Sequence, residues 1–233
     1  MHDLSVTLLE AFGIGKTAAM TGESLTPIIA SRQPIKDTAL FGYFGAHASI
    51  TDGRFVYMRG SRTLDNTPLY EYTLMPMRMR RLFNAEELRD AVLYRGLSFT
   101  CDMPVFKIPG TAGFYSAYAH GNLLFDLQAD HRQEHPLIDP DLEAECIRKL
   151  SQALLATQAP ADEWLRLGIS ADRDLINADF VRRERNLSPP GNSPTATGCC
   201  SNTDWTRAIC TILTCCLSRR RGSALRSFPF QMP

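Results

Sequence analysis

Long apolar runs are missing from this chain. No stretch of about 18 apolar residues is available to span a bilayer. Met1 leads into a polar segment containing Asp3, not the charged-then-apolar order of an export signal, so the expected setting is cytoplasmic. Histidine is scarce and none follows His135. That bears on the seven cysteines, five of which lie from Cys199 onward, including the doublets Cys199-Cys200 and Cys215-Cys216. A structural zinc site needs two spaced pairs or a following His pair, and adjacent doublets suit neither a secreted disulfide framework nor a redox C-x-x-C motif. Reduced thiols are expected. Net charge is lacking as well, since 25 basic and 25 acidic residues cancel. The balance is uneven: residues 1–170 carry 16 Lys and Arg against 20 Asp and Glu, whereas residues 171–233 carry 9 against 5. A phosphate-binding loop is excluded although Gly15-Lys16-Thr17 matches its end, because the motif needs a glycine five residues earlier and position 10 is Glu.

What is present is the composition of an ordinary globular protein, 44% hydrophobic and 21% charged, with length enough for one substantial core and a tail. The clearest local structure is Ala39 to Gly60, ALFGYFGAHASITDGRFVYMRG, in which two runs rich in aromatic and β-branched residues flank Asp52-Gly53. Asp-Gly between such runs predicts an antiparallel hairpin through a type I′ turn, which needs positive φ at both central residues. Beyond a polar loop through Asp65 and Asn66, PLYEYTLMP alternates with the period of two of a half-buried strand. Together these predict a three-stranded meander.

Helices are expected around it. DLSVTLLEAFGI places Asp3 as a cap, Leu4, Leu8 and Phe12 on one face, and Gly13 at the close. An amphipathic helix needs something to pack against, and the expected partner preceded this segment. Asn84-Ala-Glu-Glu87 is a capping-box pattern with Phe83 set to staple Leu88, predicting a helix over 85–93. Residues 98–121 read as a short strand and a glycine-rich loop, ahead of the apolar run LLFDL at 123–127. Asp139-Pro140 starts the strongest helix, with Leu142, Cys146, Leu150 and Leu154 in line to cover a sheet face. ADEWLRLGI adds a brief helical turn anchored by Trp164 and Leu167. From about Ser170 the character changes, and SPPGNSPTATGCCSNTD reads as a linker or disordered stretch. Order is expected to end near 170. The fold class is therefore α+β, a small antiparallel sheet with packed helices followed by a disordered or non-native tail at 170–233.

The order of pieces resembles the C-terminal part of the sulfatases, formylglycine-dependent hydrolases of the alkaline phosphatase superfamily. HDLSVTLLEAFGI followed by MTGESLTPII resembles the family's D-x-x-P-T-L-L-x-x-x-G-I helix and G-x-S-L-x-P stretch. ALFGYFGAHASITDGRFVYMRG and PLYEYTLMP resemble its small C-terminal sheet, and LLFDLQADHRQEHPLIDPDL resembles the ending L-Y-D-L-x-x-D-P-x-E-x-x-N-L. His131 stands where Pro is usual, and His135-Pro136 where Asn is common. The match covers about residues 2–169. It implies that residues 1–38 are the end of the large α/β domain, that 39–169 form the C-terminal subdomain, and that the fold is the terminal portion of an alkaline-phosphatase-like architecture.

The resemblance also implies what an intact relative would need. A divalent metal, normally calcium, would be held by Asp and Asn residues, and a formylglycine made from Cys or Ser would attack sulfur. Those elements lie upstream of the segment matched here. The formylglycine signature C-x-[PA]-S-R has no counterpart in the body, and Cys215-Cys216-Leu217-Ser218-Arg219 has Leu where Pro or Ala belongs, in a tail without a pocket. No catalytic or metal-binding residue and no cofactor of this chain is therefore expected. Asp37, Asp52, Asp65, Asp126, Asp130, Asp139 and Asp141 fall at turns or caps, where a carboxylate already has a structural task. His47, at a strand end, is the one substrate-binding candidate; the competing reading is a hydrogen-bonded histidine holding the strand–loop junction. Three functions follow: a sulfatase fragment inactive by itself, the same fragment of a phosphonate monoester or phosphodiester hydrolase, or a non-catalytic interaction module. The expected partner is an N-terminal sulfatase domain or a second copy, not nucleic acid or membrane.

Overall fold

Gly13 ends the first helix, as the sequence predicts. In the computed structural model, which describes residues 2–75, 77, 81–111, 117–170 and 176–187, helix α1 covers His2–Ala11 and Gly13 follows at φ +71°. Asp3 is not its cap. It lies within the first turn, and its carboxylate accepts from Glu23 N at 2.8 Å and Lys36 Nζ at 3.1 Å, tying the helix to the chain that returns beside it. Thr7 Oγ1 accepts from Leu25 N in the same way, and a side chain at Gly22 would meet the carbonyl oxygen of His2 at 2.4 Å. Helix α2 follows at Thr26–Ser31.

The predicted hairpin forms, but its first arm is two strands. β1 (Ala39–Gly42) and β2 (Ala48–Thr51) are separated by a tight bend, because at Gly42 any Cβ would strike the His47 carbonyl oxygen at 2.6 Å. β2 pairs with β3 (Phe55–Arg59), with Ile50 opposite Tyr57. The turn between them is not type I′, since Gly53 alone has positive φ. The Asp52 carboxylate closes it instead, accepting from Arg54 N at 3.0 Å and Phe55 N at 2.8 Å.

The strand expected to complete the meander goes elsewhere. β4 (Tyr70–Thr73) belongs to a second antiparallel sheet with β5 (Val92–Tyr94) and β6 (Val105–Pro109), in the order β4-β6-β5. A period of two announces a strand but not the edge that it pairs with. The place beside β3 is taken, after the short helix α3 (Ala117–His120), by β7 (Leu123–Asp126), giving β1-β2-β3-β7. Its Leu124 and Phe125 are both buried, so opposite faces of this strand find cover. The helix predicted over 85–93 is also absent. Its capping box is present, with Asn84 and Glu87 exchanging side-chain and backbone bonds at 2.8 and 2.9 Å, yet only turns follow and 92–94 is strand.

Helix α4 (Pro140–Ala156) is the helix that the sequence predicts. Asp139 caps it by accepting from Asp141 N and Leu142 N, and Cys146, Leu150 and Leu154 are buried against Ile50, Tyr57 and Leu124 of the first sheet. Helix α5 (Ala161–Leu167) is anchored by Trp164 and Leu167 and ends at Gly168, φ +62°. It also holds the second sheet: Asp162 accepts from Tyr72 Oη at 2.6 Å and pairs with Lys107 at 2.5 Å. The expected end of order near 170 falls short of the described fold. Helix α6 (Ala178–Leu187) lies beyond it, and Val181 of this charged helix joins the core together with Ile176 just ahead of it, with Phe180 packed alongside. All described residues fall in one unit, 1–193; the second unit, Pro194–Pro233, with the tail cysteines and the Cys215–Arg219 string, lies outside the described residues.

Candidate functional site

The bend between β1 and β2 carries His47 inward. Only 6% of the residue is exposed, and Nε2 sits 2.8 Å from the Gly121 carbonyl at the end of α3. A carbonyl only accepts, so Nε2 holds the proton. Burial, the largest influence, pushes the imidazole pKa down to about 4; the Gly121 bond opposes this, and the nearby His120 and Arg166 charges add to it. At neutral pH the ring is therefore uncharged. It offers no cation to a sulfate.

Beside it lies Arg166 of α5, 3% exposed and held on every side. It donates to the Ala46 carbonyl at 3.2 Å and to Asn66 Oδ1 at 2.9 Å, while Nε and Nη2 grip the two Glu163 oxygens at 2.8 and 2.6 Å. Asn66, at φ +55°, passes the connection on by donating to the Gly45 carbonyl at 2.7 Å. A planar guanidinium suits this task because its donors are fixed in a fork that meets a carboxylate and two further oxygens together. Sequence reasoning picked His47 and missed Arg166 and Asn66. No local pattern announces them, since their partners lie 120 and 21 residues away.

Two aromatic residues of the same bend, Tyr43 and Phe44, stay exposed. Phe44 leans on Gly110, where a Cβ would meet its ring at 2.5 Å, so the bend is seated on the residue that follows β6. What the geometry gives this corner is the joining of β1, β2, α3, α5 and the loop at 61–67. Of the acids named from the sequence, Asp52 closes its turn and pairs with Lys149 at 2.8 Å, Asp126 takes Arg54 and Gln128 N, Asp130 accepts from His135 N, and Asp139 caps α4. These four carboxylates hold turns, a helix cap and ion pairs.

Among the described residues no group of three or more His, Cys, Asp or Glu side chains is placed to hold a metal ion. The calcium that the resemblance implies for an intact relative therefore finds no ligand set among these residues. No helix among them is long and apolar enough to cross a membrane. The chain matches no family model, and no curated protein matches it either.

Proposed function

We propose that this chain is the C-terminal portion of a sulfatase-type hydrolase, hydrolysing no ester by itself and completing a site only with an N-terminal catalytic part. The three blocks in family order over residues 2–169 carry this reading. Two structural facts support it: a four-stranded antiparallel sheet covered by a helix where the blocks at 39–60 and 123–142 fall, with the PLYEYTLMP strand in the second sheet, and apolar surface at Leu4 and Leu8 of α1 and at Phe12 just after it that stays largely exposed among the described residues. In this reading His47 is a positioning residue. It sets the path of the bend that carries Tyr43 and Phe44, and does not touch the leaving group.

Assays with an aryl sulfate and an aryl phosphonate, each with calcium, test the reading. The purified chain alone is expected to turn over neither above the protein-free background, and adding an N-terminal sulfatase fragment is expected to restore calcium-dependent cleavage of the sulfate. Restored cleavage of the phosphonate instead would assign the fragment to a phosphonate hydrolase of the same superfamily. Turnover by the chain alone that Cys215→Ala abolishes would place the chemistry in the tail and overturn the proposal.

A further inference from the structure

Two buried opposite charges of the core are met by a helix that lies beyond the segment of family resemblance. Glu143 on α4 is fully buried and Arg59 on β3 nearly so. Tyr57 Oη donates to Glu143 Oε1 at 3.1 Å, and Asn122 Nδ2 approaches the same oxygen at 3.5 Å. Arg59 Nε and Nη2 donate to the carbonyls of Leu167 and Gly168 at 2.9 and 3.3 Å. Neutral partners of this kind orient a charge without cancelling it. Helix α6 supplies the cancelling charges. Arg185 Nε donates to Glu143 Oε2 at 2.8 Å with Nη2 on the same oxygen, and Glu184 meets Arg59 through Oε1 at 3.1 Å and Oε2 at 2.9 Å. Two consecutive residues of one helix thus match a base and an acid on two different elements.

The apolar hold of α6 is slight by comparison. Val181 is fully buried and Phe180 only partly, with Ile176 just ahead of the helix. Ion pairs taken out of water regain through attraction about what they lose in solvation, and water repays them when they separate. Undocking α6 therefore exposes chiefly groups that water solvates, whereas opening the interface of α4 with the sheet would expose Ile50, Leu124, Ile147 and Leu150. We propose that α6 is a charge-keyed strap. It leaves α4 and β3 as a unit while sheet and helix stay closed, and so frees the charged ends of Arg59 and Glu143.

Hydrogen exchange read by mass spectrometry on the full chain tests this. Exchanging the order of the two key residues, Glu184→Arg with Arg185→Glu, keeps composition and net charge but sets like charge against Arg59 and Glu143. Exchange across 178–187 is expected to rise by at least about tenfold, with 144–155 and 55–59 unchanged. Arg185→Gln, a milder variant, is expected to give a smaller rise confined to the same segment. Unchanged exchange in 178–187 in both variants would show that the charges do not hold the helix. An equal rise across α4 and β3 would show that α6 is an inseparable part of the core. Either result overturns the proposal.

Discussion

A histidine folded in neutral form makes stability depend on pH, and His47 sets the direction. Its pKa falls from the usual 6.5 to about 4 on folding. Between those values the unfolded chain binds the proton more readily, so the contribution is complete above the unfolded pKa and drains away as pH falls toward the folded one. From about pH 7.5 to about pH 4.5 the loss attributable to this ring is roughly 2–3 kcal/mol. Denaturant unfolding at the two pH values, compared between the protein and His47→Gln, isolates it: the variant keeps an N–H near the Gly121 carbonyl and is expected to lose less stability on acidification. An identical loss in both would mean that the ring is solvated. Arg166→Ala acts on the same corner at constant pH. It deprives the Ala46 carbonyl and Asn66 Oδ1 of their buried donor, at an expected cost of roughly 1–3 kcal/mol. Arg166→Lys is expected to recover only part of this, since an ammonium cannot span both oxygens and Glu163 together. The denaturant midpoint measures both.

Helix α4 shows how far an element is determined by its own residues. Removing its cap in Asp139→Ala is expected to lower stability by about 1 kcal/mol, seen as a lower thermal midpoint with the helix still formed. Cap, first-turn proline and four-residue apolar spacing all sit within 139–154, so this helix was legible from the sequence. The β2–β3 hairpin was legible for the same reason, although its turn is closed by the Asp52 side chain and not by paired positive φ. The failures share one physical cause. The capping box at Asn84–Glu87 satisfies the first turn, yet a cap sustains no helix unless an apolar face is buried behind it, and Val92 and Leu93 stay exposed as they pair with β6. Tyr70–Thr73 has the right period but finds Val105–Pro109, 35 residues on, as its partner. α6 was missed because its contribution to the core is nearly a single side chain, Val181, amid charge. The candidate site was legible only at His47. Arg166 and Asn66 acquire meaning from contacts across the fold, which no spacing along the chain reveals.

At the scale of the whole molecule, the described residues leave much apolar surface exposed at the N-terminal segment. In α1, Val6 points inward at 6% exposure while Leu4 and Leu8, four residues apart and so on one face, remain 46% and 52% exposed, and Phe12, in the turn just after the helix, is 78% exposed. Ile14, Ile28 and Ile29 add to the exposed apolar surface of the same segment at 55%, 40% and 74%. A large apolar side chain left in water forgoes up to roughly 1.5–3 kcal/mol that full burial would supply, and several such side chains on one segment make it a surface for association. An N-terminal sulfatase fragment and a second copy of this chain compete for that face under the proposed function. Light scattering of the purified chain is therefore expected to rise with concentration, and Leu8→Ser with Phe12→Ser is expected to reduce the rise without lowering the unfolding midpoint, because both side chains are already exposed. Adding the N-terminal fragment is expected to replace the self-associated species with a one-to-one complex, and the same two substitutions to weaken that complex. A chain that stays monomeric at every concentration, and ignores the fragment, would mean that this face needs no cover and that the search for a catalytic partner should turn to another surface.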